Sequence, residues 1–326
     1  MMNSSVAGNT AETVASVPLQ VAGLGYCAWD YSAIVDRIPE FDGPTASVAD
    51  FATSGGGPVA TALVTLARLE VHTGYVGAIG QDLAGAQVRL AFEQEGVDVR
   101  RLRVRSGSRT PVCMVLVQRQ TGKRMILCYR GTAGELSLDE ADRAYITAAS
   151  CLHLDGHHMS AAIVAAQWMR QAGGIVVLDA NRTRPRLDEL LPWVDVLITN
   201  PSFPAAYTGQ RDVAIAAHEL LRTGAKLVVT TLGEEGCLCV SDDDTLHVPG
   251  FAVEVVDTTG AGDAFHGAFI YGWLQGWNLL RRATFANAVA AMNCTALGGR
   301  AGLPRPEEVE AFLQSRGRGT GPGMPA

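Results

Sequence analysis

Asp257-Thr258-Thr259-Gly260-Ala261-Gly262-Asp263-Ala264-Phe265-His266-Gly267-Ala268-Phe269 is the stretch that decides how the rest of the chain is read. Before it, Val248 to Val256 reads as a strand in which Val253 and Val255 alternate with Glu254. Behind it, Phe265, Ala268, Phe269, Gly272 and Trp273 recur at helical spacing. A glycine-rich turn thus opens a helix, and the amides of Gly260, Ala261 and Gly262 can converge where the helix dipole favours an anion. Glycine at 260 and 262 lets the main chain approach a phosphate without a Cβ in the way. A carboxylate just past such a nest repels a resting phosphate, so Asp263 needs a chemical reason. It reads as a general base for a hydroxyl beside a phosphoryl group in transfer.

A lone Gly-x-Gly-Asp is usually only a turn with a cap. Here Asp257, two threonines and the strand–turn–helix setting come together. At these residues the chain resembles the ribokinase/PfkB family of carbohydrate kinases, whose C-terminal signature has this D-T-x-G-A-G-D form. The resemblance implies an α/β fold: a ribokinase-like three-layer αβα sandwich with a mainly parallel central sheet and a small β-sheet lid. It also implies ATP-dependent phosphorylation of a sugar hydroxyl, with Mg2+.

Composition agrees with an enzyme of this kind. The chain has 326 residues, 48% of them hydrophobic, enough for one large α/β unit with an accessory piece. Its net charge of −7, without a basic block, argues against nucleic acid and anionic membrane. Seven scattered cysteines, mostly inside apolar runs, read as small buried hydrophobes of a reducing, cytoplasmic compartment. Residues 1–18 carry neither a basic start nor a long apolar core and read as a disordered leader; 316–326, rich in glycine and proline, read as a disordered tail.

Between them, residues 19–315 form the expected kinase domain. Strand and helix patterns alternate: strands near 19–25, 73–79, 152–154, 175–179, 194–199 and 227–231, and helices near 58–69, 84–94, 161–171, 212–223 and 278–297. Two β-rich pieces, about 34–53 and 108–130, break this rhythm. The second holds a hairpin signal at Thr121-Gly122. A small sheet built from both would be the lid, which in the family closes over the sugar and serves as the contact of a homodimer.

The remaining motifs are assigned residue by residue. Asp30, shortly after the first strand, is the implied ligand of sugar hydroxyls. Ser54-Gly55-Gly56-Gly57-Pro58-Val59-Ala60-Thr61 resembles the family's G-G-x-x-x-N element, with Thr61 replacing the Asn, so Gly56, Gly57 and Thr61 join the sugar site. Arg130 could reach an anionic or polyhydroxy substrate, and Asp155 falls at a strand's C-terminal end, where open α/β sheets bind ligands. Asn200 keeps the first position of the family's N-x-x-E, but Phe203 stands where the Glu belongs. Thr231, Gly233 and Gly236 match the T-L-G-x-x-G nucleotide loop, and Asn287 lies on the helix bordering the adenine in relatives. Asp257 and Thr259, with carbonyls of the 294–302 segment, match a monovalent-cation site, and oxygen-only ligands suit K+.

Three details look most like the sulfofructose kinase-like branch: 55–62, 265–268 and 298–302. Thr45 and Gly156 stand where that branch has its Lys and Arg, so its sulfonate substrate is not carried over. Three rivals are weighed against the sugar kinase. A nucleoside kinase of the same fold would need an apolar slot for a base. A non-catalytic sugar sensor would not need Asp263. An NAD-dependent dehydrogenase would rest on Gly23-x-Gly25, a weaker glycine match than 260–262.

Overall fold

The computed structural model describes residues 18–318. The chain runs through β1 (Val21–Leu24), β2 (Ala28–Val35), β3 (Asp50–Gly56), α1 (Pro58–Arg68), β4 (Thr73–Gly80), α2 (Leu83–Gln94), β5 (Asp98–Arg105), β6 (Val112–Gln118) and β7 (Arg124–Tyr129). It continues with α3 (Glu140–Thr147), β8 (Cys151–Leu154), α4 (Met159–Gln171), β9 (Ile175–Ala180), α5 (Leu187–Leu190), β10 (Val196–Thr199), α6 (Phe203–Thr208) and α7 (Val213–Leu221). Then come β11 (Leu227–Thr231), β12 (Cys237–Val240), β13 (Thr245–Val248), α8 (Ala261–Leu274), α9 (Leu279–Asn293) and α10 (Pro306–Ser315).

A nine-stranded sheet, ordered β13-β12-β11-β10-β9-β8-β1-β4-β5, forms the middle layer. Its pairs from β11 to β5 are parallel, and β12 and β13 close one edge antiparallel. Consecutive strand residues point to opposite faces, and both faces are dry. Val21, Tyr75, Val177 and Ile198 join α1, α2, α8, α9 and α10 in one core. Their neighbours Ala22, Val76, Leu178 and Leu197 join α3, α4, α5 and α7 in the other. The three-layer sandwich follows from that double burial.

A separate four-stranded sheet, β3-β2-β6-β7, is the one expected to act as the lid. β6 and β7 fall inside the expected 108–130 segment, whereas the arm expected at 34–53 is β2 plus β3, starting at Ala28 and ending at Gly56. Ser54, Gly55 and Gly56 are therefore strand, not loop, and only Gly57 turns the chain into α1. Register places Tyr31, Phe51, Met114 and Leu127 on one exposed lid face, the face that a lid-to-lid contact would cover.

Three further expectations are corrected. Residues 249–257 form no strand, because the amides of Val256 and Asp257 donate to the Cys294 carbonyl past α9 rather than to a neighbouring strand. Arg316 to Arg318, assigned to the tail, are held: the Arg318 amide donates to Leu313 O, and its guanidinium lies 4.8 Å from the Phe251 ring centroid. β5, absent from the sequence reading, pairs with β4. The leader up to residue 17 and the tail from 319 lie outside the described residues.

Candidate active site

Gly260 caps α8 in the left-handed region, at φ 75°. A Cβ there would meet the Gly299 carbonyl oxygen at 2.2 Å. Only glycine satisfies both conditions, so the nest is fixed by backbone rather than by a side chain. The amide of Ala261 turns back onto Thr258 O at 3.3 Å, whereas those of Gly260, Gly262 and Asp263 have no backbone partner among the described residues. These amides stand at the positive end of a 14-residue helix, where an anion is favoured.

Asp263, on the first turn of α8, is half-buried. Burial pushes its carboxyl up to about 6, nearby Asp155 adds to the rise, and Arg124 and Arg300 oppose it. That value suits a base working near neutrality. Asp257 closes the loop below: its Oδ1 accepts from the Thr259 amide (2.8 Å) and hydroxyl (2.6 Å), and its Oδ2 from the Gly298 amide (2.9 Å). Asn293 Nδ2 then donates to Thr259 O and Gly299 O, tying the nest to the end of α9.

The lid tip rests on this loop. The Thr258 amide and hydroxyl both donate to Gly122 O, and the Arg124 guanidinium donates to the Thr258 hydroxyl at 2.8 Å. Gly122 is left-handed as the hairpin requires, with φ 64°.

Asp30 lies on lid strand β2, not on a strand exit of the large sheet. It is buried, its Oδ1 has no partner, and burial pushes its carboxyl up to about 7 against the pull of Arg300. A Cβ at Gly56 would lie 2.0 Å from Asp30 Oδ2, so that glycine keeps the carboxylate clear. Thr61 is buried on α1, and its hydroxyl accepts from Arg300 Nε at 3.2 Å. Arg300 was not singled out as a side chain by the sequence. It is 5% exposed, and its guanidinium stacks 5.5 Å from the Phe92 ring centroid. Burial draws it down to about 10, while Asp30, Glu95 and Asp263 hold it up.

Asp155 ends β8 fully buried, but its oxygens are engaged internally. Oδ2 accepts from the Tyr26 amide (2.8 Å); Oδ1 accepts from the His157 amide (3.0 Å) and ring Nδ1 (3.1 Å). Burial alone would raise this carboxyl, yet His157 and the amides hold it down to about 2. Its expected role as a direct sugar ligand does not fit that saturation. Gly23 and Gly25 of the dinucleotide reading make room for Leu63 and for the Asp155 carboxylate, so no phosphate loop is formed there.

Of the residues expected on the nucleotide side, Asn200 and Thr231 sit at the ends of the neighbouring strands β10 and β11. Asn200 follows β10, where its Oδ1 caps the Ser202 and Phe203 amides and its Nδ2 donates to Asn181 O. Phe203, in the Glu position, is fully buried and stacks on Tyr207. The Thr231 hydroxyl donates to Thr199 O at 3.2 Å, and Gly233 and Gly236 both turn with positive φ. Asn287 Nδ2 donates to Val248 O and Pro249 O, which pins the loop against α9. Arg130 follows lid strand β7 and is exposed, and its charge acts on Arg184 and on the Cys128 thiol.

A helix-mouth anion cradle, a carboxyl poised near neutrality and a lid above them define a phosphotransferase with an alcohol as acceptor. Residues 19–306 match the pfkB family of carbohydrate kinases, and the chain belongs to that family. It is 32% identical over 300 residues to a protein of Halopiger xanaduensis named ATP-dependent ribose-1-phosphate kinase, covering 91% of this chain and 99% of that one. The structure resembles Arabidopsis thaliana ribokinase complexed with ribose and ATP, with TM-score 0.81 and 25% identity over 91% of this chain and 99% of that one. It also resembles a putative ribokinase II from E. coli in complex with ATP and Mg2+, with TM-score 0.80 and 25% identity over the same shares.

Proposed function

We propose that the chain transfers the γ-phosphoryl group of ATP to a hydroxyl of a small sugar, with Asp263 as general base. The single observation that carries this reading is a half-buried carboxyl pushed up to about 6, one turn from unpartnered helix-mouth amides. The acceptor hydroxyl gives its proton to an Asp263 oxygen as its own oxygen bonds the γ-phosphorus. The bond to the ADP oxygen breaks, and that oxygen keeps the electron pair. The amides of Gly260, Gly262 and Asp263 stabilise charge on the phosphoryl oxygens, and lid contact at Thr258 keeps water out. The orphan Oδ1 of Asp30 accepts a sugar hydroxyl, and Arg300 holds the Thr61 hydroxyl in place while its charge favours the ionised Asp30.

Magnesium, when bound, neutralises the triphosphate. Among the described residues no group of three or more His, Cys, Asp or Glu could hold a metal, so phosphate and water would supply most of its shell. Asn200, Thr231, Gly233, Gly236 and Asn287 line the nucleotide side in this reading.

Asp257 is 0% exposed and has no ion-pair partner among the described residues, and Thr259, whose amide and hydroxyl it binds, shares Asn293 Nδ2 with the Gly299 carbonyl. A buried carboxylate among oxygens is the environment a monovalent cation satisfies. Turnover is expected to fall several-fold when potassium is replaced by tetramethylammonium. Equal rates in potassium, sodium and tetramethylammonium contradict the site.

The kinase reading is tested by following ADP release from MgATP with D-ribose, D-fructose, α-D-ribose 1-phosphate and adenosine. The expected result is stoichiometric ADP and phosphorylated acceptor with at least one sugar. ADP release that is independent of every acceptor contradicts it.

A further inference from the structure

Asp30, Cys113 and Cys128 stand side by side across three strands of the small sheet. Asp30 is in register with Cys113 in the parallel β2–β6 pair, and Cys113 with Cys128 in the antiparallel β6–β7 pair. Paired residues share a face, so all three lie opposite the exposed face of Tyr31, Met114 and Leu127. The Gln118 amide donates to Lys123 O at 2.8 Å, which makes 118 and 123 a hydrogen-bonded pair. Such pairs alternate along an unbroken ladder, so Cys113 and Cys128 form a pair of the closer, non-hydrogen-bonded kind. At such a site the Cα atoms are about 4.5 Å apart, within the span that a disulfide bridges.

Among the cysteines of the described residues, Cys128 is exposed and the other six are buried. Its sulfur lies 3.0 Å from the Tyr26 hydroxyl, which burial pushes up, so that the hydroxyl stays protonated and donates. Hydrogen bonding with Cys113 holds the Cys128 thiol down to about 6 against burial, and Tyr26, Arg130 and His157 add to the fall. A solvent-open thiol that ionises near neutrality, beside a second thiol, is the arrangement in which oxidation proceeds to a disulfide. Cys113 is buried, so it meets the oxidised sulfur rather than the oxidant. Cys237 and Cys239 also neighbour each other on β12, but both are 0% exposed and out of an oxidant's reach. Tyr26 belongs to the large domain: its amide donates to Asp155 Oδ2, and its ring stacks on His157. The Tyr26–Cys128 bond therefore ties the small sheet to the large one, and a sulfur drawn to Cys113 gives that bond up.

We propose that Cys113 and Cys128 are a redox pair, and that their disulfide releases the tie to Tyr26 and weakens acceptor binding beside Asp30. The oxidant is a hydroperoxide. The Cys128 thiolate attacks one peroxide oxygen, the O–O bond breaks, and the leaving oxygen takes up a proton and departs as water. The Cys113 sulfur then displaces the hydroxyl from Cys128, which leaves as a second water with the Cys113 proton. Two thiols are oxidised and hydrogen peroxide is reduced to two waters. The effect on the acceptor rests on the kinase reading; the bond between the sulfurs does not.

The test treats the full chain with hydrogen peroxide and then with dithiothreitol. It reads a peptide map and the turnover of MgATP with D-ribose, D-fructose, α-D-ribose 1-phosphate and adenosine. The expected map shows a peptide linked through Cys113 and Cys128 that dithiothreitol removes. Acceptor KM rises about fivefold on oxidation, the scale of one lost hydrogen bond, while KM for ATP changes little. Cys128→Ser, whose oxygen still accepts from Tyr26, forms no link and keeps its acceptor KM through peroxide. Cys113→Ser blocks the same link if Cys128→Ser does not fold. Tyr26→Phe carries the raised acceptor KM before any oxidation. Oxidation of Cys128 to a sulfinic acid without the linked peptide overturns the inference, and so does a link that leaves acceptor KM unchanged. Turnover with no acceptor in either state overturns the kinase reading, whereas the presence or absence of the linked peptide still decides the redox pair.

Discussion

Asp263→Asn is expected to lower kcat by about 10²-fold or more while nucleotide affinity changes little. The substitution keeps the shape of the side chain and removes only its capacity to take a proton. The cradle amides belong to the backbone at 260, 262 and 263, so the phosphate contacts persist. A carboxylate next to bound triphosphate is repulsive in the ground state, so its removal does not weaken ATP binding. Turnover measured with saturating acceptor, beside nucleotide titration of the same variant, separates the two effects. A variant that keeps wild-type turnover contradicts the base assignment.

Gly260→Ala has the second large expected effect, and it acts through geometry alone. An alanine at φ 75° costs about 1–2 kcal/mol for the left-handed backbone. Its Cβ would also stand 2.2 Å from Gly299 O, a backbone atom that cannot rotate away. Gly299 O is itself tied to Asn293, so relief of the clash displaces the loop that Asp257 and Asn293 hold. The expected outcome is a lower Tm together with loss of most turnover, because the cradle amides no longer share one focus. Gly262→Ala is the control: a Cβ there meets nothing within 4 Å. Stability should survive at 262 and fall at 260. Equal stability of the two variants contradicts the strained-nest account.

The contrast between these residues explains what the sequence made legible. The turn is local: thirteen consecutive residues, 257–269, carry the left-handed glycine, the helix start and Asp263, so the strand-free turn opening a helix at 260–263 was legible in the sequence. The alternating strands and helices were legible for the same reason, since each buries a face of regular period. Arg300 was not, because it reaches Thr61 across 239 residues of chain and no periodicity marks it. β5 escaped notice because Arg100, Arg101, Arg103 and Arg105 interrupt its apolar pattern, and Arg101 and Arg103 are matched by Asp139 and Asp142 from the segment around α3. The strand assigned to 248–256 failed, beyond Val248, for the opposite reason. Its alternation is real, but its amides at 256 and 257 find the Cys294 carbonyl rather than a strand.

The pH dependence of kcat/KM, in the wild type and in Asp263→Asn, bears most directly on the central claim. In the proposed mechanism two carboxyls are ionised in the free enzyme: Asp263, raised to about 6 by burial, and Asp30, raised to about 7 by burial. Both gain activity as pH rises through these values and lose it as pH falls, as a coupled pair. The predicted wild-type profile is flat above about pH 7 and steepens toward a slope of two below about pH 6, whereas Asp263→Asn keeps a slope of one. Profiles of the same shape for both proteins contradict the account.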